Sequence, residues 1–128
     1  MEMTNKKQAL IKTNKKDFFK YWLLFTKPLH QLKGPEISVL SLLLFYYFEL
    51  KEKVSDDDLV YKLLFDYDTK MKIKNELNYL DQTLQNSLTL LRKLNVIKDN
   101  KISPSFIPDI NNNSNEFTLT YKFNINGN

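Results

Sequence analysis

Cysteine is absent from these 128 residues. Its absence excludes disulfides, thiolate nucleophiles and thiolate metal ligands. Histidine occurs once, as His30. A Ser-His-Asp triad would have to use it, and a zinc site would find no second imidazole. His30 follows Pro28 in a short polar stretch that predicts a turn, so it reads as a surface or half-buried side chain rather than a catalytic one. Glycine occurs twice and proline four times, too few for a low-complexity chain. No apolar run approaches the roughly 18 residues of a membrane span. The nearest, residues 37–50, is shorter and is bounded by Glu36, Glu49, Lys51 and Glu52, so it predicts a buried core helix. Lys6 and Lys7 are not followed by an apolar segment and a small-residue cleavage site, so no secretory signal peptide is expected. These absences lead us to expect no enzyme, no cofactor, no metal, no membrane and no small-molecule substrate.

What is present is a core and an uneven charge distribution. Hydrophobic residues make up 42%, enough for one ordinary domain of this length. The net charge is +4, but it alternates along the chain. Residues 1–33 carry +6, residues 34–69 carry −5, residues 70–101 carry +4 and the remainder −1. Two basic segments around an acidic one suit contact with an anionic partner, and equally suit assembly by charge complementarity between neighbouring copies.

Residues 1–14 are polar, basic and without period, and predict an arm. Residues 17–25 predict a short helix with Phe18, Trp22 and Phe25 on one face and Phe19 and Leu23 widening it. Pro28 stops that helix. Gly34 and Pro35 break the chain again, and Pro35 suits the first turn of the longest helix, residues 37–53. Ser55 with Asp56, Asp57 and Asp58 predicts an N-cap and an acidic first turn; consecutive helical residues point apart, so capping explains the three acids better than a metal site. A helix through Leu59, Leu63 and Leu64 follows. Asp68 or Thr69 is expected to cap a helix over 70–77, Asn78 to close a tight turn, and Asp81 to cap a helix running to about Leu94 with Leu84, Leu88 and Leu91 as its apolar stripe. Residues 96–98 predict a short strand, 99–101 a turn, and 111–115 a polar loop. Residues 117–125 alternate strictly, with Phe117, Leu119, Tyr121, Phe123 and Ile125 on one side, and predict the clearest strand of the chain.

The order helix, short helix, turn, amphipathic helix, strand, turn, strand resembles winged helix-turn-helix proteins, such as bacterial transcription regulators, over about residues 35–125. Asn95 stands where that family commonly has glycine. The fold expected is mostly α with a small C-terminal β-hairpin (α+β). It is a winged helix-turn-helix with an extra N-terminal helix: arm 1–14, a single domain 15–128, helix-turn-helix about 69–94 and hairpin about 96–125. What the resemblance implies is a third helix able to enter the DNA major groove. Its solvent face would carry Gln82, Gln85, Asn86, Thr89 and Lys93, with Gln and Asn suited to adenine. Lys70, Lys72, Lys74, Arg92, Lys98 and Lys101 would meet phosphates or an acidic partner, although alternate residues 70, 72 and 74 cannot share one helix face.

The Lys- and Asn-rich style also resembles small proteins of Bacteroides-type phages, including the crAss-like group. That resemblance implies a virion or host-cytoplasm setting, and a role either as a virion part, such as a head–tail connector or portal-associated ring, or as a DNA-binding regulator. The expectation favours the non-catalytic assembly role, because residues 34–128 are net −2, a poor balance for a DNA binder. Protein partners or copies of itself are then expected, with double-stranded DNA the alternative. Lys6, Lys7, Lys12, Lys15 and Lys16 would form the partner-binding arm. Nine aromatic residues on the first two helices, among residues 18–25 and 45–48, exceed what one small core hides easily, which leaves room for a partner surface beside core packing.

Overall fold

A computed structural model describes residues 8–110 and 115–127. Among them are six α-helices followed by one two-stranded antiparallel sheet. Helix α1 (Lys15–Phe25) starts where the Asn14 carboxamide oxygen accepts the Asp17 N–H at 2.8 Å. It ends at Thr26, whose hydroxyl donates to the Trp22 carbonyl at 2.7 Å. Helix α2 (Lys27–His30) has Pro28 in its first turn and closes with Gln31 in the left-handed region, φ 56°. The expected turn at His30 is therefore one turn of helix.

Helix α3 (Gly34–Lys53) is the hub: α1, α4, α5 and α6 all pack on it. Its sequence dictates this role, since Ile37, Val39, Leu40, Leu42, Leu43 and Leu44 point all round the axis and every one is buried. Helix α4 (Asp57–Leu64) is capped by Asp56, whose carboxylate accepts the Asp58 N–H at 3.1 Å, and not by Ser55. Helix α5 (Tyr67–Leu77) is capped by Asp66, whose carboxylate accepts the Thr69 N–H at 2.9 Å; the Thr69 hydroxyl instead donates back to the Leu63 carbonyl. Both caps satisfy N–H groups that a helix start leaves without partners. Helix α6 (Asp81–Lys93) follows, then β1 (Ile97–Lys98) and β2 (Lys101–Ile102), paired Ile97 to Ile102 and Lys98 to Lys101.

The core is continuous through these elements. Leu84, Leu88 and Leu91 of α6 are fully buried, as their spacing predicts, and Val96, Ile97 and Ile102 extend the core into the hairpin. On α1 the buried edge is Phe19 and Leu23, continued by Thr26, rather than the expected face centred on Trp22. Trp22 is half-buried because its indole N–H reaches the Phe106 carbonyl at 2.9 Å, so the ring lies at the helix flank. Phe25 is exposed. Tyr47 and Tyr61 pack with ring centroids 5.1 Å apart and join α3 to α4. Burial holds both phenols above their ordinary value, Tyr61 the more strongly.

The largest departure concerns residues 117–125, which form no strand. After β2 the chain enters a 3-10 turn at Pro104–Phe106, and a proline there offers no N–H to a ladder. With only two residues in β2, no edge of sufficient length meets the alternating segment. It lies instead along α1, with Phe117 edge-on to Phe18 and Trp22. The expected hairpin of about 96–125 is thus one of 97–102. The polar loop expected over 111–115 falls largely outside the described residues.

Candidate functional site

The expected recognition face and the cations expected beside it lie on α5, the turn after it, α6 and the hairpin. Asn78 closes α5 in the left-handed conformation at φ 56°, and the Tyr79 N–H reaches back to the Lys74 carbonyl at 3.0 Å. This geometry suits Asn, whose short polar side chain tolerates positive φ. It turns the chain so that α6 starts after only Tyr79 and Leu80. Leu80 occupies the N-cap position, where no side chain caps the helix. Asp81 is not the cap that was expected; it is the first helical residue, and its carboxylate pairs with Lys74 at 2.8 Å.

Burial of Leu84, Ser87, Leu88 and Leu91 fixes the rotation of α6. Gln82, Gln85, Asn86, Thr89 and Lys93 consequently lie together on its exposed side, the spacing of one helix face. Within that face Gln82 Nε2 donates to Asn86 Oδ1 at 2.8 Å, so two of the amides are engaged with each other. The chain leaves α6 through Asn95 at φ 60°, again a position where glycine is usual. Asp99 and Asn100 both have positive φ, 53° and 55°, the requirement of a tight two-residue hairpin turn.

The six cations expected beside this face divide. Arg92 and Lys98 are exposed, at the end of α6 and in β1. Lys70 and Lys74 are half-buried on α5, Lys74 in its pair with Asp81. Lys72 lies over the Tyr46 ring at 5.9 Å and belongs to the α3 side. Lys101 pairs with Asp58 at 3.1 Å across an open hollow beside the hairpin that Tyr61 and Phe65 also line. That hydrogen bond raises the Lys101 ammonium above its ordinary value.

The expected arm also divides. Lys12 is exposed ahead of α1, while Lys6 and Lys7 lie outside the described residues. Lys15 and Lys16 are in α1 and contact their own chain: Lys15 pairs with Glu52 at 2.8 Å and Lys16 with Glu76 at 2.7 Å. Lys16 also lies over Phe45, and its hydrogen bond to Glu76 raises its ammonium above the ordinary value.

His30 has a structural place. Its Nε2 donates to the Leu23 carbonyl at 2.8 Å and its Nδ1 accepts the Leu32 N–H at 2.9 Å. This combination uses the neutral imidazole with its proton on Nε2. Among the described residues no group of three or more His, Cys, Asp or Glu could hold a metal ion, and no helix is long and apolar enough to cross a membrane.

Not expected from the sequence were the exposed leucines at the two ends of α6. Leu80, 74% exposed, precedes it and Leu94, 52% exposed, follows it. A leucine where a capping Ser, Thr, Asp or Asn is usual was the available signal. Comparison with protein-family models, curated proteins and solved structures finds no match to this chain.

Proposed function

We propose that the chain is a non-catalytic assembly protein that uses a winged-helix unit to dock protein. The unit would comprise α3 as first helix, α5 and α6 as the helix-turn-helix, and the 97–102 hairpin as a reduced wing, with α1 and α2 added before it. One observation carries the docking reading. The helix that bears the exposed amide face has an exposed leucine at each end, Leu80 and Leu94, and Asp81 stands in its first turn with its side chain 77% exposed. The first turn of a recognition helix is the part that approaches bases and phosphates. A carboxylate and a bare leucine there disfavour a duplex and favour a partner with apolar and amide groups of its own. Surface ion pairs are worth little, but Asp81 and Asp58 still place negative charge beside Lys74 and Lys101, where phosphates would have to lie.

The resemblance to small proteins of crAss-like phages suggests the setting: a virion component, such as a head–tail connector or portal-associated ring. Mass spectrometry of purified particles from the source tests it. The protein is expected in the particles in fixed ratio to a capsid protein, and its absence would contradict the proposal. The second reading, a winged-helix DNA-binding regulator, is favoured by the shared face of Gln82, Gln85, Asn86, Thr89 and Lys93 and by the exposed Arg92 and Lys98 at the end of α6 and in β1. On that reading Gln85→Ala with Asn86→Ala relaxes sequence preference, while Lys98→Ala weakens all sequences alike.

A further inference from the structure

Fourteen asparagines occur in the chain, and only Asn126 is followed by glycine. Asparagine is a thermolabile residue because it reacts with its own backbone. The nitrogen of the next residue attacks the side-chain carbonyl carbon and closes a five-membered ring. That nitrogen must be uncrowded and free to turn toward the carboxamide. The fold denies these conditions at most of the described asparagines. Asn75 and Asn86 lie inside α5 and α6, where the next N–H belongs to the helical ladder. After Asn78 the Tyr79 N–H donates to the Lys74 carbonyl at 3.0 Å, and after Asn95 the Val96 N–H donates to the Leu91 carbonyl at 2.9 Å. Asn100 is fixed in the tight turn between the paired Lys98 and Lys101. The Asn14 carboxamide is bonded to Asp17 through both its oxygen and its nitrogen. Asn115 and Asn124 are followed by Glu116 and Ile125, whose side chains crowd the attacking nitrogen. Asn126 differs. It and Gly127 are exposed and lie outside helix and strand. Gly127 has no Cβ to shield its nitrogen, and its φ of 74° is one that glycine adopts freely.

We propose that Asn126–Gly127 is a site of spontaneous deamidation in the folded protein. A base takes the proton of the Gly127 N–H, and the nitrogen bonds to Asn126 Cγ. The Cγ–Nδ2 bond breaks, and Nδ2 leaves as ammonia, taking up a proton. Water then opens the ring. Cleavage between the Gly127 nitrogen and Cγ gives aspartate. Cleavage between that nitrogen and the Asn126 main-chain carbonyl carbon gives isoaspartate. The net change is one water in and one ammonia out, with no oxidation or reduction. Either product carries a carboxylate where the chain had a neutral amide, and isoaspartate also lengthens the backbone by one methylene. The new charge lowers the net charge of +4 by one. It arrives next to Ile125, 90% exposed, and three residues from Phe123, 83% exposed. An exposed apolar stretch thereby becomes acidic with age, without an enzyme.

Incubation of the full chain at mildly alkaline pH, followed by peptide mass spectrometry, tests this. Cleavage after Lys122 releases residues 123–128. That peptide is expected to gain one mass unit, located at Asn126 by fragmentation and divided between aspartate and isoaspartate. The gain should come sooner than at Asn75, Asn78, Asn86 or Asn95. It should quicken as pH rises, because the attacking nitrogen must lose its proton. Gly127→Ala should slow it about tenfold, since an L residue is disfavoured at that φ and its Cβ crowds the nitrogen. A Cβ at 127 meets nothing within 4 Å, so the variant keeps the fold, which an unchanged helical circular dichroism verifies. In denaturant Asn75 and Asn86 should become reactive while Asn126 keeps its rate. An unchanged mass of the peptide would overturn the proposal, as would an equal rate in Gly127→Ala. Neither result bears on α6, so the docking reading stands or falls separately.

Discussion

At the scale of the residue, His30 shows how a lone titratable side chain becomes structural. Its two ring nitrogens satisfy one carbonyl and one N–H where the chain leaves α2, and its ring lies 5.8 Å from that of Phe106. His30→Ala leaves both backbone groups without that partner and should cost about 1–3 kcal/mol of stability, while partner binding is retained once the protein is folded. Chemical denaturation together with a binding assay checks this; full loss of function in a folded variant would return His30 to a catalytic role. Leu88 sits in the middle of the buried stripe of α6 at 1% exposure. Leu88→Ala should cost about 2–5 kcal/mol, and a change within error in the denaturation midpoint would mean that this face is not packed on α3.

At the scale of the element, the helices and the short strand expected at 96–98 were legible, and the strand expected at 117–125 was not. The α6 stripe, the buried α3 and the Asn78 turn all follow from spacing and from one residue able to take positive φ. Caps were misplaced by one to three residues, at Asp56 for Ser55 and at Asp66 for Asp68 or Thr69. Several adjacent polar residues can each serve, and only the chain path selects among them. The 117–125 strand was misread for a different reason. Alternation reports what a segment could pair with, whereas pairing needs an edge, and Pro104 removes the one nearby. At the site, the polar face of α6 was legible from its helical spacing, but Leu80 and Leu94 took their meaning only from exposure. The turn itself is testable. Asn78→Gly should be nearly neutral, because glycine accepts φ 56° freely. Asn78→Val should cost roughly 1–2 kcal/mol, because a β-branched residue is strained there. Equal thermal midpoints for the two variants would contradict the left-handed closure of α5.

At the scale of the whole molecule, the elements are tied together by buried phenols and by pairs between distant segments. Tyr47 and Tyr61 join α3 to α4, Lys16 and Glu76 join α1 to α5, and Lys101 and Asp58 join the hairpin to α4. The phenols of Tyr47 and Tyr61 are raised by burial above their ordinary 10.0, and the Lys16 ammonium by Glu76 above its ordinary 10.5. Groups raised in the folded state contribute stability that is fully present below the unfolded value and lost as pH rises through the folded one. The protein should therefore lose stability as pH climbs above about 10, and Tyr61→Phe should flatten that loss. Thermal unfolding followed from neutral to alkaline pH measures it; an unchanged slope in Tyr61→Phe would assign the loss to other groups.

The same scale holds the central claim, that the α6 face docks protein rather than a duplex. Fluorescence anisotropy of the full chain against AT-rich duplex, at physiological salt and in a salt series, tests it most directly. Only weak, sequence-indifferent binding is expected, with Kd no tighter than about 10⁻⁶ M and rising steeply with salt. Sequence-specific binding tighter than about 10⁻⁷ M, weakened by replacing Gln85 and Asn86, would contradict it.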